Sequence, residues 1–216
     1  RLIIDVVDEA MRQAGVRGAD LDGVAVTRGP GLVGALLVGL NFGKGLAYGL
    51  GIPFTGVNHM EGHLYSNLLS DAGPHYPFVS LIVSGGHTML VHVKGPFSHM
   101  LLGTTRDDAA GEAFDKVAKM LGLGYPGGPA IDRVSVRGNA AAVAFPRSFL
   151  EEGTLDFSFS GIKTSVLYYL RRAGVGENGA ARETWTEERM ADVCASFQEA
   201  VVDVLVEKTL RAAERT

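Results

Sequence analysis

Residues 2–69 alternate between helical and strand-like patterns, and a proline and glycine break then ends the alternation. Leu2, Ile3, Val6, Val7, Ala10 and Met11 recur at the spacing of one helix face, which predicts a helix over 2–14. The pattern continues as strand 23–27, helix 31–49, strand 53–57 and helix 59–69. Strands separated by helices cannot pair as hairpins and pair in parallel through the helix between them, so this part is an α/β layer. Asp71, Gly73, Pro74 and Pro77 then place a boundary, with one part over 1–74 and a second over 75–216. The second part opens on strands 78–83 and 88–93, joined by Ser84-Gly85-Gly86-His87, with a third strand over 98–103. Helices are predicted at 107–121, 129–138, 161–172 and 186–213. No internal repeat is present.

Composition narrows the class. Glycine is 29 of 216 residues, about twice the usual share, and clusters at strand-to-helix turns. Such turns are where backbone approaches another group closely. The single cysteine, Cys194, excludes a disulfide framework and lies in a helical apolar pattern, which predicts a core position. Gly31–Leu50 is apolar enough to raise a membrane span, but its six glycines, Asn41 and Lys44 predict a buried helix between layers. A net charge of −4 gives no global attraction to nucleic acid, so any such contact needs a local basic patch or a partner.

His59-Met60-Glu61-Gly62-His63 carries the clearest chemistry. Asn58 precedes it as an N-cap, and two histidines four residues apart share one helix face, which suits a divalent metal. Glu61 stands roughly 200° around the helix from His59, so it points away from that face. In the zinc-protease signature the glutamate follows the first histidine directly. The metal reading therefore survives and the protease reading weakens.

Four further segments stand out. Ser84-Gly85-Gly86-His87-Thr88 offers backbone N–H groups in a tight loop, as phosphate requires. Asp107 and Asp108 suit a helix N-terminus electrostatically, and Asp115 lies two turns further on. Tyr125-Pro126-Gly127-Gly128-Pro129 puts Pro129 in a first helical turn, with Asp132 following on that helix. Asp156–Thr164 reads as a short aromatic strand turning into a helix, with Ser160 as N-cap. Gly39–Gly45 contains Gly-Lys but lacks the first glycine and the Ser/Thr of a phosphate loop, and reads as helix packing.

His59–His63, Val83–Thr88, Asp107–Lys116, Tyr125–Pro129 and Phe157–Thr164 together resemble the TsaD family, in the family's order and over nearly the whole chain. That family comprises the tRNA N6-adenosine threonylcarbamoyltransferases, formerly labelled O-sialoglycoprotein endopeptidases. His87 resembles the bacterial or organellar branch, where archaeal and eukaryotic relatives carry Asn. The resemblance implies an actin-like, Hsp70-like α/β fold of two domains around a nucleotide cleft. Residues 1–74 would be the remainder of the first domain with the metal helix, and 75–216 the second with the phosphate hairpin.

It implies roles as well. His59 and His63 would hold one divalent metal ion, iron rather than zinc. Ile82, Val83, Ser84, Gly85 and Gly86 would line the phosphate and carbamoyl part of the substrate, and Asp115, Gly128 and Asp132 the nucleoside part. Implied partners are TsaB, the ATPase TsaE, tRNA and threonylcarbamoyl-adenylate, with a homodimer in the absence of TsaB, in the cytoplasm and without a membrane. The implied reaction moves the threonylcarbamoyl group to the N6 amine of adenosine 37 in tRNAs reading codons that start with A. That amine is a poor nucleophile, since its lone pair is delocalised into the ring, so the acyl donor must be activated. The family also uses an N-terminal strand pair, a C-terminal Asn and an Asp as third metal ligand. None falls in these residues, so the 216 residues alone are expected not to catalyse transfer. Two alternatives remain: a metalloprotease, and a non-catalytic nucleotide-binding paralogue.

Overall fold

The computed structural model describes residues 2–148, 153–176 and 185–216, in two compact units, Arg1–Pro74 and His75–Thr216.

In the first unit, α1 (Leu2–Ala14) leads through a single 3-10 turn to β1 (Val24–Gly29), then α2 (Val33–Leu50), β2 (Phe54–Asn58) and α3 (His59–Ser66). β1 and β2 pair in parallel from Val24↔Phe54 to Thr27↔Val57, with α2 as the crossover, as the alternation predicts. α2 ends at Gly51, whose φ of 69° is the left-handed cap that glycine tolerates best. α2 lies on the sheet at Gly43, where a β-carbon would overlap the Val26 side chain. The glycine-rich segment is therefore a packing surface, not a phosphate loop.

Two expectations need correction here. α2 is not a helix buried between layers: only Gly43 and Ala47 are buried, and Leu37, Val38 and Tyr48 face outward. The side that meets the sheet is made of small residues, Gly39 and Gly43 against Val26, which leaves the bulky ones uncovered. α1 likewise has no buried residue, and Leu2 and Val6 are exposed. Among the described residues α2 is the one helix long and apolar enough, by length and composition, to cross a membrane. The helix expected over 59–69 ends at Ser66 and tightens into a 3-10 turn, Asn67–Leu69.

The second unit opens with an antiparallel meander, β3 (Phe78–Val83), β4 (Thr88–Gly95) and β5 (Ser98–Thr104), ordered β3-β4-β5. Among the described residues four helices follow: α4 (Ala110–Met120), α5 (Gly127–Ser135), α6 (Ser160–Arg172) and α7 (Glu187–Glu214). Their apolar stripes meet in one core around Leu90, Val117, Ile131, Phe157, Phe159, Ile162, Val166, Phe197 and Val201. Each such side chain contributes about 1.5–3 kcal/mol by leaving water. Cys194 lies inside this core, and burial pushes its thiol up to about 12.

Helix starts depart from the sequence pattern where loops do the capping. The helix expected over 107–121 begins at Ala110, since Asp107 and Asp108 turn aside to other partners. The helix expected over 129–138 runs from Gly127 to Ser135, with Pro129 in its first turn. The aromatic segment before α6 is no strand but a single parallel bridge, Thr105↔Phe157. Ser160 is the first residue of α6 and not its N-cap; Phe159 holds that position.

Candidate metal pair and nucleotide cavity

Asn58 ends β2 and caps α3, its Oδ1 accepting the Met60 N–H at 2.8 Å. The cap starts the helix at His59, and one turn later His63 stacks edge-on against it. Their Nε2 atoms converge to 3.1 Å. Two imidazoles at the usual metal–nitrogen distance of about 2.0–2.1 Å, about 100° apart at the ion, have this spacing. The pair therefore fits two ligands of one first-row divalent metal. No hydrogen bond or ion pair joins Glu61 to either histidine among the described residues. Nor do those residues contain a group of three or more His, Cys, Asp or Glu able to hold a metal.

The β3–β4 turn is held from two sides. Within it, the Ser84 N–H donates to the His87 carbonyl at 2.8 Å, and Ser84 Oγ accepts the His87 N–H at 2.9 Å and the Gly86 N–H at 3.3 Å. Its free donors are thus fewer than the glycine pair suggests, since the Ser84 hydroxyl folds back on the loop. From outside, the first turn of α4 grips it. The Gly111 N–H donates to the Ser84 carbonyl at 3.2 Å, and the Ala110 N–H to Thr88 Oγ1 at 2.9 Å. A β-carbon on Gly111 would stand 2.6 Å from the Ser84 oxygen and 2.8 Å from Gly85 Cα. Only glycine lets α4 sit this close. Ile82 is buried, so it offers a ligand only backbone, whereas Val83 is exposed.

Asp107 and Asp108 fix the neighbouring helices. Asp107 Oδ1 accepts the Phe159 and Ser160 N–H groups at 2.8 and 3.2 Å, and Oδ2 accepts both serine hydroxyls, Ser158 and Ser160, at 2.6 Å. It therefore caps α6 from a distance, and not its own helix. Burial pushes its carboxyl up, but these four bonds outweigh burial and leave it below the ordinary carboxylate value. Asp108 bridges Lys116 and Lys163, each at 2.7 Å, and is lowered in the same way, their ammonium groups outweighing its burial. Lys116 also meets Glu112 at 2.8 Å, and the Asp108 and Glu112 carboxylates hold it above the usual lysine value.

Along α4 lies a cavity of about 540 Å³, lined by Glu112, Asp115, Lys116, Lys119, Gly122, Gly124 and Tyr125. Asp115 is not merely a solvated helix position. Its Oδ1 accepts the Gly127 N–H at 2.7 Å, which pins the start of α5 to α4. Gly128 follows at once, and no atom comes within 4 Å of where its β-carbon would be. Asp132 is exposed on α5 and accepts a bond from Gln198 Nε2 at 3.2 Å. Helix α4 thus gathers the β3–β4 turn, Asp115 and Gly127–Gly128, whereas His59 and His63 belong to the first unit. Sequence reasoning missed Glu112, Lys116, Lys119 and Tyr125 as cavity walls. The Glu112–Lys116 spacing of four was the one signal available for that face.

A glycine turn gripped by the first turn of a helix, with a cavity further along that same helix, is the arrangement this α/β chain offers a ligand. The chain belongs to the TsaD family, tRNA N6-adenosine threonylcarbamoyltransferase, whose family model matches residues 1–216. That family has the actin-like fold and works with a divalent metal. The chain is 56% identical over 216 residues to the tRNA N6-adenosine threonylcarbamoyltransferase of Salinibacter ruber, covering 100% of this chain and 63% of the relative. It is 54% identical over 211 residues to that of Desulfitobacterium hafniense, covering 98% and 60%. The Moorella thermoacetica relative is also 54% identical over 211 residues, with 98% and 59% covered. The chain thus spans about 60% of the length of these relatives. Among solved structures, YeaZ from Pseudomonas aeruginosa matches 86% of this chain and 81% of its own at 13% identity. Its TM-score of 0.31 is too slight a likeness to bear on fold or function.

Proposed function

We propose that the protein transfers the threonylcarbamoyl group of threonylcarbamoyl-adenylate to the N6 amine of adenosine 37, in tRNAs reading codons that start with A. The observation that carries this reading is that one helix, α4, grips the phosphate turn at Gly111 and walls a nucleoside-sized cavity at Glu112 and Asp115. An adenylate needs both kinds of site on one scaffold. Residues 1–74 are the first actin-like domain's share and 75–216 the second's.

In this reading the Ser84–Gly86 turn meets the adenylate phosphate chiefly through the Gly85 N–H, its Ser84 and Gly86 N–H groups being engaged within the turn; Ile82 and Val83 carry that turn, and Asp115, Gly128 and Asp132 bind the nucleoside. The carboxylates accept hydrogen bonds from sugar hydroxyls, which neutral donors satisfy without a charge penalty. Gly128 leaves backbone open to the ligand. His59 and His63 hold the metal, iron rather than zinc, in the imidazole geometry described above. The chemistry the ion would supply there when bound is Lewis-acid polarisation and charge neutralisation. The chain's own contribution is positioning, a large share of rate enhancement in group transfer. No covalent intermediate is needed, and the one thiol, Cys194, is buried in the core.

The partners in this reading are TsaB, the ATPase TsaE and tRNA, in the cytoplasm. The uncovered apolar faces of α1 and α2 supply the surface for TsaB, or for a second copy in its absence. The metalloprotease alternative has no support from Glu61, which pairs with neither histidine among the described residues. The test incubates the full-length protein and its partners with tRNA, threonine, bicarbonate and ATP, and analyses nucleosides by mass spectrometry. Threonylcarbamoyladenosine is expected, and is lost with His59→Ala; its absence with the unaltered protein would refute the reading. Metal analysis after dialysis checks the pair separately. His63→Ala should release the bound metal, and retention of a stoichiometric ion would sink the assignment.

A further inference from the structure

A second cavity, of about 550 Å³, adjoins the first and shares Lys116 and Lys119 with it. It lies between the C-terminal halves of α4 and α6, and Met120, Leu167, Leu170, Arg171, Val175 and Gly176 complete its described lining. The two cavities differ in charge. The first has carboxylates, Glu112 and Asp115, facing two lysines. The second has three cations and no carboxylate among its described lining residues, in a chain whose net charge is −4. Lys116 is already paired with Asp108 and Glu112, whereas no ion pair holds Lys119 or Arg171 among the described residues. Both are exposed, at the rim of an apolar floor that includes the buried Leu170 and Val175.

We propose that this second cavity binds one nucleotide of single-stranded RNA, next to but not identical with the acceptor adenosine. An apolar floor suits the flat face of an unpaired base, and exposed cations at its edge suit the phosphate that follows. The volume is in the range of sites that enclose a small molecule. The carboxylates of the first cavity offset its two lysines and suit sugar hydroxyls, so a phosphate finds the more favourable charge in the second. The reacting base does not fit the second one. From Gly111, against the phosphate turn, to Lys119 is eight residues of helix, about 12 Å. A base at Lys119 and Arg171 is too far from that turn to receive the acyl group, so the site holds a neighbour along the strand. This proposal rests on the transfer reading above, since it takes the RNA to be the acceptor.

The test measures binding of an anticodon stem-loop RNA to the full-length protein with its partners and, separately, of ATP to the full-length protein without the ATPase, at several salt concentrations. Arg171→Glu is expected to weaken stem-loop binding about tenfold and to reduce the log–log salt slope by about 0.7, the value for one single-strand phosphate. Arg171→Lys, which keeps the charge, should retain most of the affinity and the slope. ATP affinity should stay unchanged in both, whereas Asp115→Ala should weaken ATP alone. Unchanged RNA affinity and slope in Arg171→Glu would overturn the proposal while leaving the transfer reading intact. Weakened ATP binding with unaltered RNA binding would overturn it too, by making the cavity a site for free mononucleotide. An unaltered protein with no affinity for the stem-loop would overturn both readings.

Discussion

Gly111→Ala tests whether the first turn of α4 sets the phosphate turn. The added β-carbon would lie 2.6 Å from the Ser84 oxygen, 2.8 Å from the Ser84 carbonyl carbon and 2.8 Å from Gly85 Cα. All three are backbone atoms, so no side chain can swing aside. Ordinary contact begins near 3.4 Å, so the turn must move by nearly 1 Å. Such overpacking costs about 1–3 kcal/mol. Losing the Gly111–Ser84 hydrogen bond costs about 1 kcal/mol more. Alanine's better helix propensity returns about 1 kcal/mol. The net is a loss of about 1–3 kcal/mol, a fall in melting temperature of about 3–9 °C for a unit of this size. Calorimetry of Gly111→Ala beside Gly128→Ala measures it. Gly128 has no atom within 4 Å of its β-carbon position, so that variant should not lose stability by overpacking. Nucleotide affinity, read by titration calorimetry, should fall in Gly111→Ala because the displaced turn no longer presents its backbone correctly. An unchanged melting temperature with unchanged nucleotide affinity would refute the reasoning.

Other outcomes follow from the same contacts. Asp107→Ala removes the acceptor of four hydrogen bonds and orphans two N–H groups at the start of α6. It should cost about 2–3 kcal/mol by urea denaturation, and a loss below 0.5 kcal/mol would show that water replaces the cap. Asp107, Asp108 and Asp156 all titrate below the ordinary carboxylate value when folded, Asp156 chiefly through the Thr104 N–H. Their contribution is therefore complete above about pH 4–5, near the unfolded value, and lost as pH falls through the folded ones. Acid titration by circular dichroism should show this fall, and Asp107→Asn should flatten it; an identical acid profile in the variant would count against the assignment. Cys194, buried with its thiol raised to about 12, should resist alkylation at pH 8 in the folded protein and react once urea unfolds it. Rapid labelling of the native protein would place it outside the core.

By itself the sequence determined the elements and the chemistry they carry. Period and capping signals put helices and strands within a few residues of where they fold, because those signals are local: Asn58 caps α3 and Gly51 ends α2 with atoms a few residues away. The histidine pair is legible for the same reason, since spacing along one helix turn fixes its convergence. Relations over distance needed the tertiary structure. Asp107 looks like a cap for the helix that follows it, yet serves α6 about fifty residues on, and its turning aside delays α4 to Ala110. Asp115 looks like a surface carboxylate until Gly127 meets it. α2 reads as buried from its apolarity, but it meets the sheet only along the side of Gly39 and Gly43, and burial depends on what covers a face as well as on what the face is made of. The cavities, and the confinement of the carboxylates to one of them, exist only because α4 meets the 122–125 loop on one side and α6 on the other, which no local pattern encodes.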